Sequence, residues 1–129
     1  MAAASDYLET QLLKWALSAN TVTRPTTWYL GLYTAAPTDA GGGTEVSTTG
    51  TAYARQTIAF TITGNSATNS AIITFPTATA NWGTVTHIGI FDTLTAGNLL
   101  YWGTAAASKT ITTGDTMQVN SSNITITLD

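Results

Sequence analysis

The only histidine, His87, is the first residue to test for chemistry, because an imidazole can act as a general base or a metal ligand near neutral pH. Its neighbours at strand spacing are Val85 and Gly89, which have no reactive groups. Asp92 lies five residues further on and falls on the opposite face of a regular strand. We therefore expect His87 to be a structural residue at a sheet face or an interface, with its ring nitrogens hydrogen-bonded.

The carboxylates raise one further possibility, a calcium site. Asp39 and Glu45 share a glycine-rich loop, and Ca²⁺ prefers carboxylate and carbonyl oxygens. Their spacing matches no EF-hand loop, and two carboxylates fall short of the roughly six to eight oxygens that the ion needs. Asp6 and Asp115 are better explained as a helix cap and a turn residue. We expect no metal site.

Motifs for covalent catalysis and for phosphate binding are absent from the sequence. It contains no Gly-x-Ser-x-Gly and no Ser-x-x-Lys, and the glycine run at 41–43 lacks the lysine of a phosphate loop. The basic residues, Lys14, Arg24, Arg55 and Lys109, are scattered along the chain and form no phosphate-tracking stripe. The sequence therefore predicts no catalytic residues, no enzyme activity, no cofactor and no nucleic-acid partner.

The composition indicates a folded β protein with little charge. Threonine accounts for 29 of the 129 residues, and only 9% are charged, against about 25% in typical globular chains. The net charge of −3 disfavours nucleic-acid binding, and the absence of cysteine excludes a disulfide-stapled module. No apolar run approaches the roughly 18 residues of a membrane span, and the start lacks the positive region of a signal peptide. We expect no membrane partner and production in a cytosol.

One helix is predicted, over residues 6–19. Asp6 is its expected cap, with Glu9 completing a capping box. Leu8, Leu12 and Trp15 or Ala16 follow at helical spacing and form an apolar stripe, which Leu13 and Leu17 widen. Such a stripe needs a partner surface, which is either the protein's own sheet or a neighbouring chain.

The remainder of the sequence predicts β-strands separated by turns. Threonine favours strands because its branched Cβ crowds a helical turn. In one strand Val85 and His87 are expected on one face, with Ile88 and Ile90 on the other. Gly114-Asp115 predicts a hairpin between 109–113 and 116–120. The other predicted strands are 28–33, 58–62, 71–75, 85–92, 99–102 and 124–128.

This spacing of short strands predicts a mainly β fold. The expected architecture is a single antiparallel β-sandwich or barrel-like domain over residues 1–129, with one N-terminal α-helix at 6–19 and the sandwich at 27–129. No internal repeat and no linker divides the chain.

An ordered series of motifs along nearly the whole chain resembles a group of small structural proteins of tailed bacteriophages. Members of this group are labelled tail fibre proteins or capsid decoration (cement) proteins. The motifs are TWYLGLYTAAPTD at 27–39, GTEVS at 43–47, YARQ at 53–56, TFPTATA at 74–80, WGTVTHIGIFD at 82–92, GNLLYWG at 97–103, SKT at 108–110 and GDT at 114–116.

The resemblance implies a non-enzymatic component of the phage virion. We expect a capsid decoration protein on the head exterior, where it stabilises contacts between subunits of the major capsid protein and associates with itself as a homotrimer. The alternative is a tail fibre or tail-tip protein that contacts tail proteins or a host surface glycan, through aromatic residues such as Trp82, Trp102 or Tyr101.

Six residues are predicted to lie in interfaces with neighbouring subunits. Trp82 follows a loop and precedes a glycine, which suggests an exposed position, although capping the sandwich core is an equal alternative. Arg55 is a lone charge on a polar strand face and is expected to need a carboxylate partner. The others are Trp102 and the helix residues Leu8, Leu12 and Trp15.

Overall fold

The computed structural model describes residues 2–128, so Met1 and Asp129, the limits of the predicted domain, lie outside it. Within this range the chain forms one α-helix and eleven β-strands. The elements are β1 Ala2–Ala4, α1 Asp6–Leu17, β2 Trp28–Ala35, β3 Thr44–Glu45, β4 Gln56–Ile58, β5 Phe60–Thr63, β6 Ser66–Asn69, β7 Ile73–Thr74, β8 Gly83–Phe91, β9 Leu99–Ile111, β10 Gln118–Val119 and β11 Thr125–Thr127. The predicted mainly β fold, an antiparallel sandwich with one N-terminal helix, is confirmed.

The predicted helix is present but differs at both ends. Its N-cap is Ser5 and not Asp6, since the Ser5 hydroxyl accepts a hydrogen bond from the Leu8 amide at 3.2 Å. Asp6 and Glu9 remain in the first turn, where negative charge favours the helix dipole. The helix ends at Leu17 and not at residue 19, because Ser18 adopts an extended conformation. No helix in the described range is long and apolar enough to cross a bilayer.

The main sheet has the strand order β1-β9-β8-β2-β3, and β4 pairs with β2 at residues 28–30. The expected central strand is confirmed as β8, which lies between β9 and β2. The expected common face of Val85 and His87 is wrong. The pairing of β8 with β9 contains a bulge, in which residues 105–108 of β9 lie opposite the single residue Thr86 of β8. As a result Val85 packs in the main core, whereas His87 lies on the other face of the sheet, next to Trp102.

The chain switches sheets in the middle of one predicted strand. Residues 58–62 form two strands, since β4 ends at Ile58 in the main sheet and β5 begins at Phe60 in a three-stranded sheet of order β11-β6-β5. Strands β10 and β7 form a third sheet, which together with the three-stranded sheet makes the layer that covers the main sheet. The predicted hairpin at Gly114-Asp115 is wrong: the turn is present, but β9 extends to Ile111 and β10 pairs with β7.

The hydrophobic core divides between the two faces of the main sheet. The larger cluster fills the space between the layers and includes Leu30, Leu32, Phe75 and Trp82. A smaller cluster of Tyr33, Phe91 and Leu99 lies on the opposite face of the same sheet. The alternation along β2 supplies both clusters, because successive side chains of a strand point to opposite faces. These two faces position the candidate surfaces described below.

Candidate functional site

Arg55 and Glu45 form a two-pronged ion pair beside the smaller core cluster. Arg55 precedes β4 and Glu45 ends β3, so the pairing of both strands with β2 brings them together. The Arg55 Nε and Nη2 atoms donate to the Glu45 carboxylate at 2.9 Å and 2.8 Å. The Tyr53 hydroxyl donates to the same carboxylate at 2.6 Å and accepts from the Leu32 amide at 3.0 Å. The predicted carboxylate partner of Arg55 is therefore confirmed.

The remaining contacts of Arg55 bind the loop after β8. Its Nη1 atom donates to the carbonyls of Thr93 at 3.1 Å and Ala96 at 2.8 Å. Its guanidinium carbon lies 3.4 Å from the centre of the Phe91 ring, a cation–π arrangement. The Arg55 side chain is only 9% exposed. Arg55 thus joins β3, β4 and this loop within the chain, and its role in an interface stays a prediction.

Alkaline solution should destabilise the protein through its buried tyrosines. Burial, and then the hydrogen bond to Glu45, raises the pKa of Tyr53, and burial raises the pKa of Tyr33 to about 12. Because these folded values exceed the unfolded value of about 10, their stabilising effect is complete below about pH 10 and is lost as the pH rises through the folded values. Urea unfolding between about pH 8 and pH 11.5 should show this fall.

Substitution of Tyr53 provides the control for the alkaline effect. Tyr53→Phe should lower stability at neutral pH but weaken its dependence on alkaline pH, whereas Tyr7→Phe, at an exposed position, should leave both unchanged. An alkaline slope unaltered by Tyr53→Phe would contradict the assignment.

His87 is half-buried on a face of the main sheet, and one of its two ring nitrogens, Nδ1, has the expected hydrogen-bond partner. Its Nδ1 atom lies 2.8 Å from the Thr86 hydroxyl, and its ring centre lies 6.3 Å from that of Trp102. Asp92 is occupied elsewhere, since its carboxylate accepts two hydrogen bonds from Asn98 at 2.8 Å and 2.9 Å. The surroundings of His87 are therefore a hydroxyl and an indole, which hold the ring in place.

The two carboxylates of the glycine-rich loop have different partners. Glu45 is held by Arg55, whereas Asp39 accepts a hydrogen bond from the Trp102 indole at 2.8 Å. Asp39 instead lies beside Asp6 and Glu9, with carboxylate oxygens within 4.8 Å of one another. All three are exposed, and the Asp39 carbonyl accepts from the Asp6 amide at 2.9 Å. The loop thus docks on the start of α1.

The helix exposes most of the apolar stripe predicted from the sequence. No residue of α1 is buried, and the exposed fraction is 74% for Trp15 and 79% for Leu17. Leu12 and Leu13 are also exposed, at 37% and 60%. We call these four residues the helix face; at about 100° per residue they extend over a little more than half of the helix circumference. Leu8 is half-buried and, together with Leu12 and Trp15, lines a shallow groove of about 500 Å³ between α1 and residues 22–25.

The two tryptophans of the β region that are predicted to lie in interfaces, Trp82 and Trp102, differ in exposure. The exposed position expected for Trp82 is wrong: it is 5% exposed, and its indole donates to the Thr51 carbonyl at 2.8 Å. Its ring packs edge-on against Tyr53 and Phe75. Trp102 is half-buried and bonded to Asp39. The core alternative considered for Trp82 therefore describes its position in the isolated chain.

The structure contains a surface groove that was not predicted from the sequence. Where β2 begins, the main sheet and the three-stranded sheet separate around a groove of about 420 Å³. We call it the mouth groove; Arg24, Trp28, Phe60, Ile62, Asn65 and Tyr101 are among its lining residues. These residues lie far apart in sequence, and only the stacking of the two sheets brings them together. The one local signal is a lone Arg24 shortly before Trp28.

Comparison with known proteins identifies the family of the chain. A family model described as Podophage GP4 fiber I protein gp80 matches residues 3–127, which extend from β1 to β11. No curated protein matches the chain significantly. The family description confirms the resemblance to phage structural proteins, and it names a fibre and not a capsid decoration protein. The chain therefore belongs to the podophage GP4 fiber I protein gp80 family and is a structural protein of a bacteriophage virion.

Proposed function

We propose that this protein is a non-enzymatic subunit of a phage tail fibre, held in the virion by packing of its helix face against neighbouring subunits. The observation that carries the proposal is the exposure of Trp15 and Leu17 on α1. The family description, a fibre protein, supports the tail location over the head.

In the isolated chain the helix face exposes apolar side chains to water. Full burial of one large apolar side chain is worth about 1.5–3 kcal/mol, and contiguous exposed apolar patches mark interaction sites. The helix is 12 residues long and amphipathic helices of this size gain most of their stability from packing. Only one basic residue, Lys14, lies on α1, so a neighbour can cover the face without burying many charges.

The second candidate function is capsid decoration, with the major capsid protein as partner. It is favoured by the short strands and stacked layers, because the described residues form a packed sandwich and no fibrous repeat. On this reading the same helix face covers the junction between capsid subunits on the head exterior.

Substitution in the helix face tests the proposed role. A phage producing the Trp15→Ser/Leu17→Ser variant should incorporate at least about tenfold less of the protein per particle, because more than one kcal/mol of apolar burial is lost at each position. The isolated variant should keep its unfolding midpoint, since both side chains are already exposed. Quantitative mass spectrometry of purified particles measures incorporation.

Matched controls and labelling separate the alternatives. Ile72→Ser/Leu94→Ser removes two exposed apolar residues elsewhere, at 54% and 50% exposure, and should leave incorporation unchanged. Wild-type incorporation of the helix-face variant would refute the role of α1. Gold labelling confined to the head would replace the fibre proposal with capsid decoration.

Self-association is a separate part of the proposal. The homotrimer expected from the sequence predicts three copies in the native mass of the purified protein. Any other copy number excludes this stoichiometry, and a helix-face variant that becomes monomeric would place α1 in the contact between copies.

A further inference from the structure

The mouth groove has the size and lining of a ligand site. Its volume of about 420 Å³ lies within the roughly 300–1,000 Å³ of small-molecule pockets. Ile90 and Ile126 are buried beneath it, and three aromatic residues, Trp28, Phe60 and Tyr101, line it while remaining half-exposed. Large rings that stay partly exposed around a concave opening suit a ligand with a flat apolar face.

The sheet register explains why two of these rings share one wall. Leu30 of β2 pairs with Ile90 of β8, and Ile90 pairs with Tyr101 of β9. Trp28 lies two residues before Leu30 and therefore on the same face of the sheet. Both rings are thus mounted on rigid strands, which hold a binding surface more firmly than loops do.

Three polar groups at the groove are unpaired within residues 2–128. The Trp28 indole, the Tyr101 hydroxyl and the Arg24 guanidinium donate no hydrogen bond to any described residue, and all three are open to solvent, since no buried side-chain donor in this range lacks a partner. By contrast, the indoles of Trp82 and Trp102 both donate to oxygens of the chain. Burial raises the pKa of Tyr101, so its hydroxyl remains a donor at neutral pH.

The charged and polar residues that line the mouth groove indicate which class of ligand it can bind. Among the described residues that line the groove there is no aspartate or glutamate, and Arg24 is its one ionised group. The other polar side chains are engaged, since Asn65 donates to the Leu128 carbonyl at 2.7 Å and Ser66 bonds to Thr127 at 3.2 Å. The indole and the guanidinium can only donate, the phenol can donate or accept, and the free charge is positive, which favours a ligand that carries acceptors and a negative charge.

We propose that the mouth groove binds an acidic saccharide, with a sugar ring packed on Trp28 or Tyr101 and its carboxylate facing Arg24. A pyranose ring presents an apolar C–H face to an aromatic ring while its hydroxyls accept from the indole and phenol. A carboxylate matches the planar donor fork of arginine. The inference concerns this groove alone and holds for either location in the virion.

The test is a titration of the full chain with digalacturonic acid, followed by NMR of the indole N–H signals. The four tryptophans give separate probes, and the Trp28 signal should shift saturably with a dissociation constant on the order of a millimolar or tighter. Lactose, a neutral disaccharide, should bind at least about fivefold more weakly. Arg24→Gln should weaken digalacturonate binding by a similar factor, whereas Lys109→Gln, an equal loss of charge outside the groove, should not.

Several results would overturn the proposal. These are the absence of a saturable shift at Trp28, a shift confined to Trp102, equal affinity for lactose and digalacturonate, or displacement of the saccharide by octanoate, which would indicate a site for alkyl chains. The Trp15→Ser/Leu17→Ser variant should bind the saccharide normally, so failure of this inference and failure of the helix-face role are distinguishable.

Discussion

Replacing Trp82 with alanine should lower the free energy of unfolding of the isolated chain by about 3–5 kcal/mol. The side chain is 5% exposed and fills the core between the layers, where its ring centre lies 5.4 Å from that of Tyr53 and 6.3 Å from that of Phe75. Alanine removes these contacts and leaves a cavity that rigid strands cannot close. Because domains are stable by only about 5–15 kcal/mol, the variant should unfold at much lower urea concentration.

Two variants separate the packing of Trp82 from its hydrogen bond. Trp82→Phe keeps an aromatic ring but removes the donor to the Thr51 carbonyl, and it should cost about 1–3 kcal/mol. Trp15→Ala removes the same side chain from a position that is 74% exposed, so it should change the unfolding free energy by less than about 0.5 kcal/mol. Similar midpoints for Trp82→Ala and Trp15→Ala would refute the core assignment.

Strand β2 could be predicted from the sequence because the alternation of its side chains matches the alternation of the environments on the two faces of the sheet. Alternation from Trp28 to Tyr33 places Leu30 and Leu32 in one cluster and Tyr33 in the other, as the structure shows. The change of sheet at Ala59 could not be predicted, since Ile58 and Phe60 continue the same alternation on either side of it. Side-chain period reports the face of a strand, and it does not report which sheet the strand joins.

Interface and core tryptophans could not be distinguished from local sequence. Trp82 follows Asn81 and precedes Gly83, a loop-like context, yet residues distant along the chain bury it. For Arg55 the need for a carboxylate was predictable, because a lone charge among strands must be paired. The identity of that carboxylate was not predictable, since the pairing of β3 and β4 with β2 decides it.

The Arg55→Met variant should be destabilised by about 3 kcal/mol, and the loop at 93–97 should lose protection from hydrogen exchange. Removal of one partner leaves the Glu45 carboxylate partly buried with only the Tyr53 hydroxyl as donor. The expected loss is at the lower end of the range for buried pairs, because the Glu45 side chain is 23% exposed and partly solvated. The loop is affected because Arg55 donates to the carbonyls of Thr93 and Ala96.

The double variant Glu45→Gln/Arg55→Met shows whether the uncompensated charge of Glu45 or the lost contacts to the loop cause most of the destabilisation. If an uncompensated charge causes the loss, neutralising Glu45 should restore at least about 1 kcal/mol, because an amide is much less costly to desolvate than a carboxylate. Arg55→Lys keeps the charge but not the donor fork, so it should leave the loop exchanging rapidly while losing less stability than Arg55→Met. A single Arg55→Met variant within about 0.5 kcal/mol of wild type would mean that the ion pair contributes little net stability, and it would refute this assignment.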